Sequence, residues 1–316
     1  MIERRTIVFA HELLAGVEHP AFEARGAKDG PRVSLIAGVH GCEYSSIAAV
    51  TRFMNELDTR QLSGSITAVP VVSMESFRRR TPFVVPADDT NLNRSFPGRY
   101  DGGYTDALAR AIFDELIEPA DVLVDLHGGD MVEALEPFAI YEASPVAERA
   151  DAIAVAFGLP YVVREEPREG GLGGMTSSAA AARGIPAIIA EAGGRGQLEE
   201  PAVQLLVDGV GNVLRHLGML PGEPSPPARP QQRVASFVWL RCEREGWWEA
   251  AVDSGDEVAA GAILGRVRDL WGDVLEEIRA PADGVVLFLT TSPAVAADGL
   301  LLGLGTGLSP VERASA

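Results

Sequence analysis

Cysteine is nearly missing from this 316-residue chain. Cys42 and Cys242 are its only two, far apart and without metal or redox spacing. That excludes a disulfide framework and points to a reducing, cytoplasmic setting. Long hydrophobic runs are missing too. No window approaches the roughly eighteen uninterrupted apolar residues of a membrane span, and the opening MIERRTIVFAHELLAG has no apolar stretch leading to a small-residue cleavage site. Positive charge is scarce: 27 Lys and Arg stand against 45 Asp and Glu, a net charge of −18. Nucleic acid and anionic membrane would be repelled, so neither is an expected partner. A local group of arginines can still outweigh that field at a small anionic substrate. What is plentiful is apolar residue, 47% of the chain, enough to bury a core in two domains or one large one.

Residues 221–230, PGEPSPPARP, hold five prolines in ten positions and can continue neither a helix nor a central strand, so they read as a linker. Before it, short apolar runs alternate with helical spacing. The strand candidates are 32–37, 65–72, 121–126 and 187–190; the helix candidates are 43–57, 104–116, 145–157 and 202–217. Near-continuous apolar strands separated by helices predict a mostly parallel or mixed sheet covered on both faces. After the linker come short β-prone runs at 237–240, 247–252, 262–267 and 284–289, split by turn signals. GDEVAAGAILGRV followed by IRAPADGVV resembles half of a biotinyl- or lipoyl-like barrel-sandwich, but residues 268–276 contain no lysine to carry a cofactor. The only biased tract is the alanine-rich 178–182.

Three strand candidates end in reactive side chains. VSLIAGVH ends at His40 with Glu43 beyond it, DVLVDLHGG ends at His127, and AIIAEAGG ends at Glu191. Ligands of open α/β sheets bind outside the carboxyl ends of the strands, so these residues can share one pocket. Two imidazoles and one carboxylate are a sensible catalytic zinc set, with a fourth position open. A metal lowers the pKa of bound water to about 7, and Glu191 would take and return the proton. A lone His at a strand end is more often structural, and a Glu opening a helix often serves the helix dipole. Glycines flanking both histidines (Gly38, Gly41, Gly128, Gly129) shift the balance towards a site. Within DDTNLNRSFPGR, Asn93 and Arg94 suit a substrate carboxylate. Upstream, Arg78, Arg79 and Arg80 form a basic run. One of them, Arg80 as the working choice, would stabilise an oxyanion, the others helping to hold substrate; which one points inward stays open.

GVHGCE, NLNRSFPG, DLHGG and GIPAIIAEAGG, in that order, resemble the succinylglutamate desuccinylase/aspartoacylase family, a branch of the zinc carboxypeptidase-like fold. The resemblance covers roughly residues 30–200. It implies one zinc ion per chain on His40, Glu43 and His127, with Glu191 as general base and acid. It also implies a substrate carboxylate on Asn93 and Arg94, and hydrolysis of a small N-acyl amino acid or N-acyl amine. N-acetyl-diaminobutyrate is one such substrate. Many relatives carry aspartate where this chain has Asn91. Arg164 and the glycine-rich Gly170–Gly174 are candidates to line the substrate entrance, although for the loop a plain flexible connection is the slightly favoured reading.

The expected architecture is therefore an α/β zinc-hydrolase domain over residues 1–220, a linker over 221–230 and a small all-β domain over 231–316. That small domain could narrow access to the site. Trp247 and Trp248 suit its own core first, and a contact with the catalytic edge or a homo-oligomer interface second. Two rival readings are a metallocarboxypeptidase acting on short peptides and a non-enzymatic, carrier-like scaffold.

Overall fold

A computed structural model describes residues 1–166 and 174–312. Apolar runs need cover on both faces and belong in the middle of a sheet. β3 (Lys28–Ala37), β4 (Ser63–Val69), β5 (Val122–His127) and β9 (Ala187–Glu191) are those runs, and they lie side by side and parallel. The flanks are mixed. β1 (Ile2–Ile7) and β2 (His19–Arg25) extend one side antiparallel. On the other side β7 (Phe138–Glu142) runs antiparallel to β9, and β8 (Tyr161–Glu165) runs parallel to β7. β10 (Gln232–Val234) and β19 (Ser309–Pro310) complete ten strands in the order β1-β2-β4-β3-β5-β9-β7-β8-β10-β19. The large sheet thus draws strands from both sides of the proline-rich stretch.

Side chains alternate across each strand, and this sorts the core into two layers. Val33, Leu35 and Ala37 of β3, with Val122, Val124 and Leu126 of β5, face α1 (Tyr44–Glu56), α4 (Ala147–Phe157) and α6 (Glu200–His216). Ile36, Leu123 and Ala187 face α3 (Tyr104–Ile112) and α5 (Thr176–Ala182). The short α2 (Met74–Arg79) follows β4. The alanine-rich tract is the body of α5, as alanine's helix preference allows. By the same alternation Asp125 and His127, two apart on β5, fall on the α5 side.

Residues 221–230 carry no helix or strand. Beyond β10, two small antiparallel sheets form. One has β11 (Ser236–Arg241), β18 (Leu300–Thr306), β16 (Gly284–Thr290) and β13 (Glu257–Val258) in that order. The other has β15 (Val274–Arg279), β14 (Ile263–Arg268), β12 (Gly246–Ala250) and β17 (Ala294–Val295). Trp248 is buried between them with Leu264 and Val267, its Nε1 donating to the Thr290 carbonyl at 3.1 Å, whereas Trp247 is exposed. One strand of the first half, β6 (Glu133–Leu135), pairs antiparallel with β16 and ties the two parts together.

Candidate metal centre

Between Ala37 and Tyr44 the chain leaves β3 and opens α1. Gly38 takes a φ of +61°, a conformation that side chains resist. A Cβ on Gly41 would lie 2.1 Å from the Phe77 nitrogen, so α2 could not approach as it does. Glu43 sits at the mouth of α1 but makes no capping bond to it. Its carboxylate turns inward instead. Oε1 lies 2.7 Å from His40 Nδ1, Oε2 lies 3.1 Å from His127 Nδ1, and Oε2 accepts the Gly128 N–H at 3.2 Å. One ligand atom from each of the three residues falls within 4.8 Å of the others, and Glu43 and His127 are buried.

The far side of each imidazole is also held. His40 Nε2 lies 3.1 Å from Asn91 Oδ1, which accepts the Asn93 N–H at 2.8 Å as well; that second bond identifies the atom as the amide oxygen. His127 Nε2 lies 3.0 Å from Asp125 Oδ2. With an acceptor behind it, each Nε2 keeps a proton, and once its Nδ1 is deprotonated that atom offers a lone pair to the front. Two lone pairs and a carboxylate then converge, which is unfavourable unless a cation lies among them. This donor set fits a divalent ion that accepts nitrogen and oxygen ligands, such as zinc, manganese or cobalt.

Charge coupling runs the same way. Burial works against the Glu43 carboxylate, but His127 and His40 outweigh it and hold its pKa at about 2. Burial also works against a charged imidazole at His127 and His40. Asp125 and Glu43 overcome it at the first and Glu43 at the second, raising both pKa values. Without a metal, protons do the neutralising.

Glu191 pairs in register with His127 across β5 and β9, half-buried and outside the three-residue ligand set. Burial pushes its pKa up to about 8, with His127 pulling the other way. Asn93 is buried, and its Oδ1 accepts the Thr176 N–H at 3.1 Å. Arg94 is exposed and donates to the Asn93 carbonyl at 2.7 Å. The three consecutive arginines are exposed and diverge. Arg79 pairs with Glu75 at 3.4 Å, the charge of Arg78 acts on His19 and Tyr104, and that of Arg80 acts on Tyr44, next to Glu43. Arg164 pairs with Glu166 at 3.3 Å, and its strand runs away from the site: β8 starts level with Phe138, which faces Glu191, and Arg164 lies three residues on. Of the glycine-rich Gly170–Gly174, residues 170–173 lie outside the described residues; the Gly174 carbonyl accepts the Phe96 N–H at 3.1 Å.

Three polar residues at this edge carried no signal of their own in the sequence. Asp125 is an acid inside an apolar run, and Thr176 opens α5. Glu133 lies on β6, its Oε2 accepting the Asp130 N–H at 2.9 Å. The segments after His127 and Glu191 are laced together by Gly129 N–H to the Gly193 carbonyl (2.8 Å) and Arg195 N–H to the Glu133 carbonyl (2.7 Å).

Residues 29–217 match the family model of the succinylglutamate desuccinylase/aspartoacylase catalytic domain. The chain is 32% identical over 268 residues to the N-alpha-acetyl-L-2,4-diaminobutyric acid deacetylase of Halomonas elongata, covering 82% of this chain and 77% of that protein. Two solved structures are similar over nearly their whole length. A succinylglutamate desuccinylase/aspartoacylase from Rhodobacter sphaeroides has a TM-score of 0.84 at 25% identity, covering 99% of this chain and 96% of that one. The product-bound ectoine utilization protein EutE (DoeB) of Ruegeria pomeroyi has a TM-score of 0.84 at 27% identity, covering 96% and 95%.

Proposed function

The chain belongs to the succinylglutamate desuccinylase/aspartoacylase family, and from that premise we propose that it is a zinc-dependent hydrolase of the amide bond in a small N-acyl amino acid. The observation that carries this reading is the convergence of two imidazole Nδ1 atoms on the Glu43 carboxylate, with both Nε2 atoms held from behind. His40, Glu43 and His127 would hold the ion. Zinc bound there would act as a Lewis acid towards the amide carbonyl and lower the pKa of water. Glu191, adjacent to His127, takes the proton of the attacking water and returns it to the departing nitrogen. Asn93 and Arg94 dock the substrate carboxylate, and Arg80, whose charge acts on Tyr44, is the arginine assigned to the oxyanion.

The substrate's second group follows from chemistry at the rim. The Halomonas relative is named for a substrate with a free side-chain amine, a cation at neutral pH. Glu133 suits such a cation. Burial pushes its pKa up to about 8, so the carboxyl alone is largely protonated at neutral pH, and a cationic amine beside it would draw it into the charged form. The test is a hydrolysis screen of the zinc-loaded chain on N-acetyl-2,4-diaminobutyrate, the N-acetyl amino acid lacking the second amine, N-succinyl amino acids and short peptides. The diamino substrate is expected to lead. Glu133→Gln should raise its KM on the order of 10–100-fold, the value of a hydrogen bond to a charged group, and leave the monoamine analogue unchanged. Turnover of peptides alone would sink the deacylase reading.

Metal uptake should depend on pH in a set direction. The folded, metal-free chain favours protonated His40 and His127. That contribution to stability is complete below the unfolded value of about 6.5 and is lost as pH rises through the raised folded values. Glu191 and Glu133, pushed up to about 8, act in the same direction. Zinc replaces the histidine protons, so its binding tightens as pH rises. Calorimetric melting between about pH 6 and pH 9 should show the metal-free Tm falling and the increment from zinc growing. An increment independent of pH would contradict protonated ligands in the metal-free state.

A further inference from the structure

The two imidazoles are joined twice: in front by Glu43, and behind by a chain of buried groups. From His40 Nε2 the path runs to Asn91 Oδ1 (3.1 Å), to the Asn93 N–H (2.8 Å), then from Asn93 Oδ1 to the Thr176 N–H (3.1 Å). It continues from the Thr176 hydroxyl to Asp125 Oδ2 (2.5 Å) and from that oxygen to His127 Nε2 (3.0 Å). Thr176 and Asp125 have no exposed surface at all. Among the described residues Asp125 Oδ1 has no partner, and the carboxylate is held by two donors, both on one oxygen. Thr176 touches both halves of this path. Its backbone reaches the asparagine beside Arg94, and its side chain reaches the acid behind His127.

We propose that Thr176 is a positioning residue for the metal centre: its hydroxyl sets the rotation of Asp125, and through it the ring of His127, while its amide sets the plane of the Asn93 side chain. The substrate-docking loop and one metal ligand thereby share a strut at the start of α5. The physical need is plain. An aspartate with one bare oxygen in a buried site has little else to stop it rotating about its terminal torsion, which is broad and unrestrained by rotamer wells. If it rotates, His127 loses the acceptor that keeps its proton on Nε2 and its lone pair on Nδ1.

This inference rests on the metal reading above, and its test separates the two. Thr176→Val keeps the shape and removes the hydroxyl; Thr176→Ser keeps the hydroxyl. Zinc affinity is measured by competition with a chromogenic chelator, and the visible spectrum is recorded on the cobalt-loaded full chain. Thr176→Val should weaken zinc on the order of 10–100-fold and alter the cobalt bands, and Thr176→Ser should restore both. If Thr176→Val does not fold, Thr176→Ala gives the same comparison with space in place of the methyl. Wild-type affinity and spectrum in the variant lacking the hydroxyl would overturn the inference, as would a serine variant no better than valine. Failure of the unaltered chain to bind zinc would instead overturn the metal reading itself.

Discussion

Replacing Glu43 with glutamine is expected to cost the chain its metal and leave its fold. Glu43 touches both imidazoles, through different oxygens, and its second oxygen also receives the Gly128 N–H. Glutamine has the same shape, but one of its two terminal atoms becomes an NH₂ donor. That donor can bond a neutral Nδ1 lone pair directly, so the lone-pair repulsion that invites a cation is relieved without one. Removing one member of a buried charged set costs about 3–5 kcal/mol, so zinc affinity should fall roughly 10²–10⁴-fold. Metal analysis after dialysis and circular dichroism of the same sample check both halves. A variant that keeps tight zinc binding would show that Glu43 is not a ligand.

Why His40, His127 and Glu191 could be read in advance, and Asp125 and Thr176 could not, follows from where the information lies. The first three terminate apolar runs, and an open sheet delivers run ends to one edge. β3, β5 and β9 are adjacent and parallel, so those ends coincide. Asp125 sits inside its run, where an acid only looks like a break in apolar character. Its purpose depends on Thr176, which arrives 51 residues later and meets it because α5 crosses the face that Asp125 shares with His127. The arginines show the same limit. Successive residues of a helix point about 100° apart, so a basic run cannot all serve one site. Arg80 ends α2 in the left-handed region, with a φ of 55°, and parts company with Arg78 there. β1, β2, β7 and β8 on the flanks are not among the strand candidates, since the candidates are drawn from the buried apolar runs at the centre of the sheet.

The small β sheets are tied to the chemistry through one short strand. β6 follows the His127 turn by a few residues and pairs with β16, Glu133 facing Thr290 in the register. Glu133, the carboxylate assigned to a cationic group of the substrate, is therefore held from one side by the catalytic sheet's loops and from the other by the C-terminal part. A barrel-sandwich shape whose turn lacks a lysine is unsuited to carrying a covalent cofactor, but it is well suited to fixing a rim. If Glu133 binds the substrate's cationic group as proposed, the C-terminal part acts on substrate choice without touching the metal ligands.

Glu191→Gln is expected to lower kcat on the order of 10²–10⁴-fold, the usual contribution of a positioned acid–base group, with zinc content unchanged. Glu191 stands beside His127 across the strand pair but lies outside the three donors that converge. Its site suits the proposed proton transfer for a specific reason: burial pushes its pKa up while the two histidines oppose the rise. A carboxyl balanced in that way changes its protonation readily when a cation arrives or leaves nearby. Glutamine keeps the size and cannot accept or return a proton, so substrate should still bind and KM should change little. A kcat collapse with KM and metal intact is the signature of a group acting only in the chemical step. Loss of zinc from this variant would make Glu191 a fourth ligand instead, and the proton would have to travel through another group.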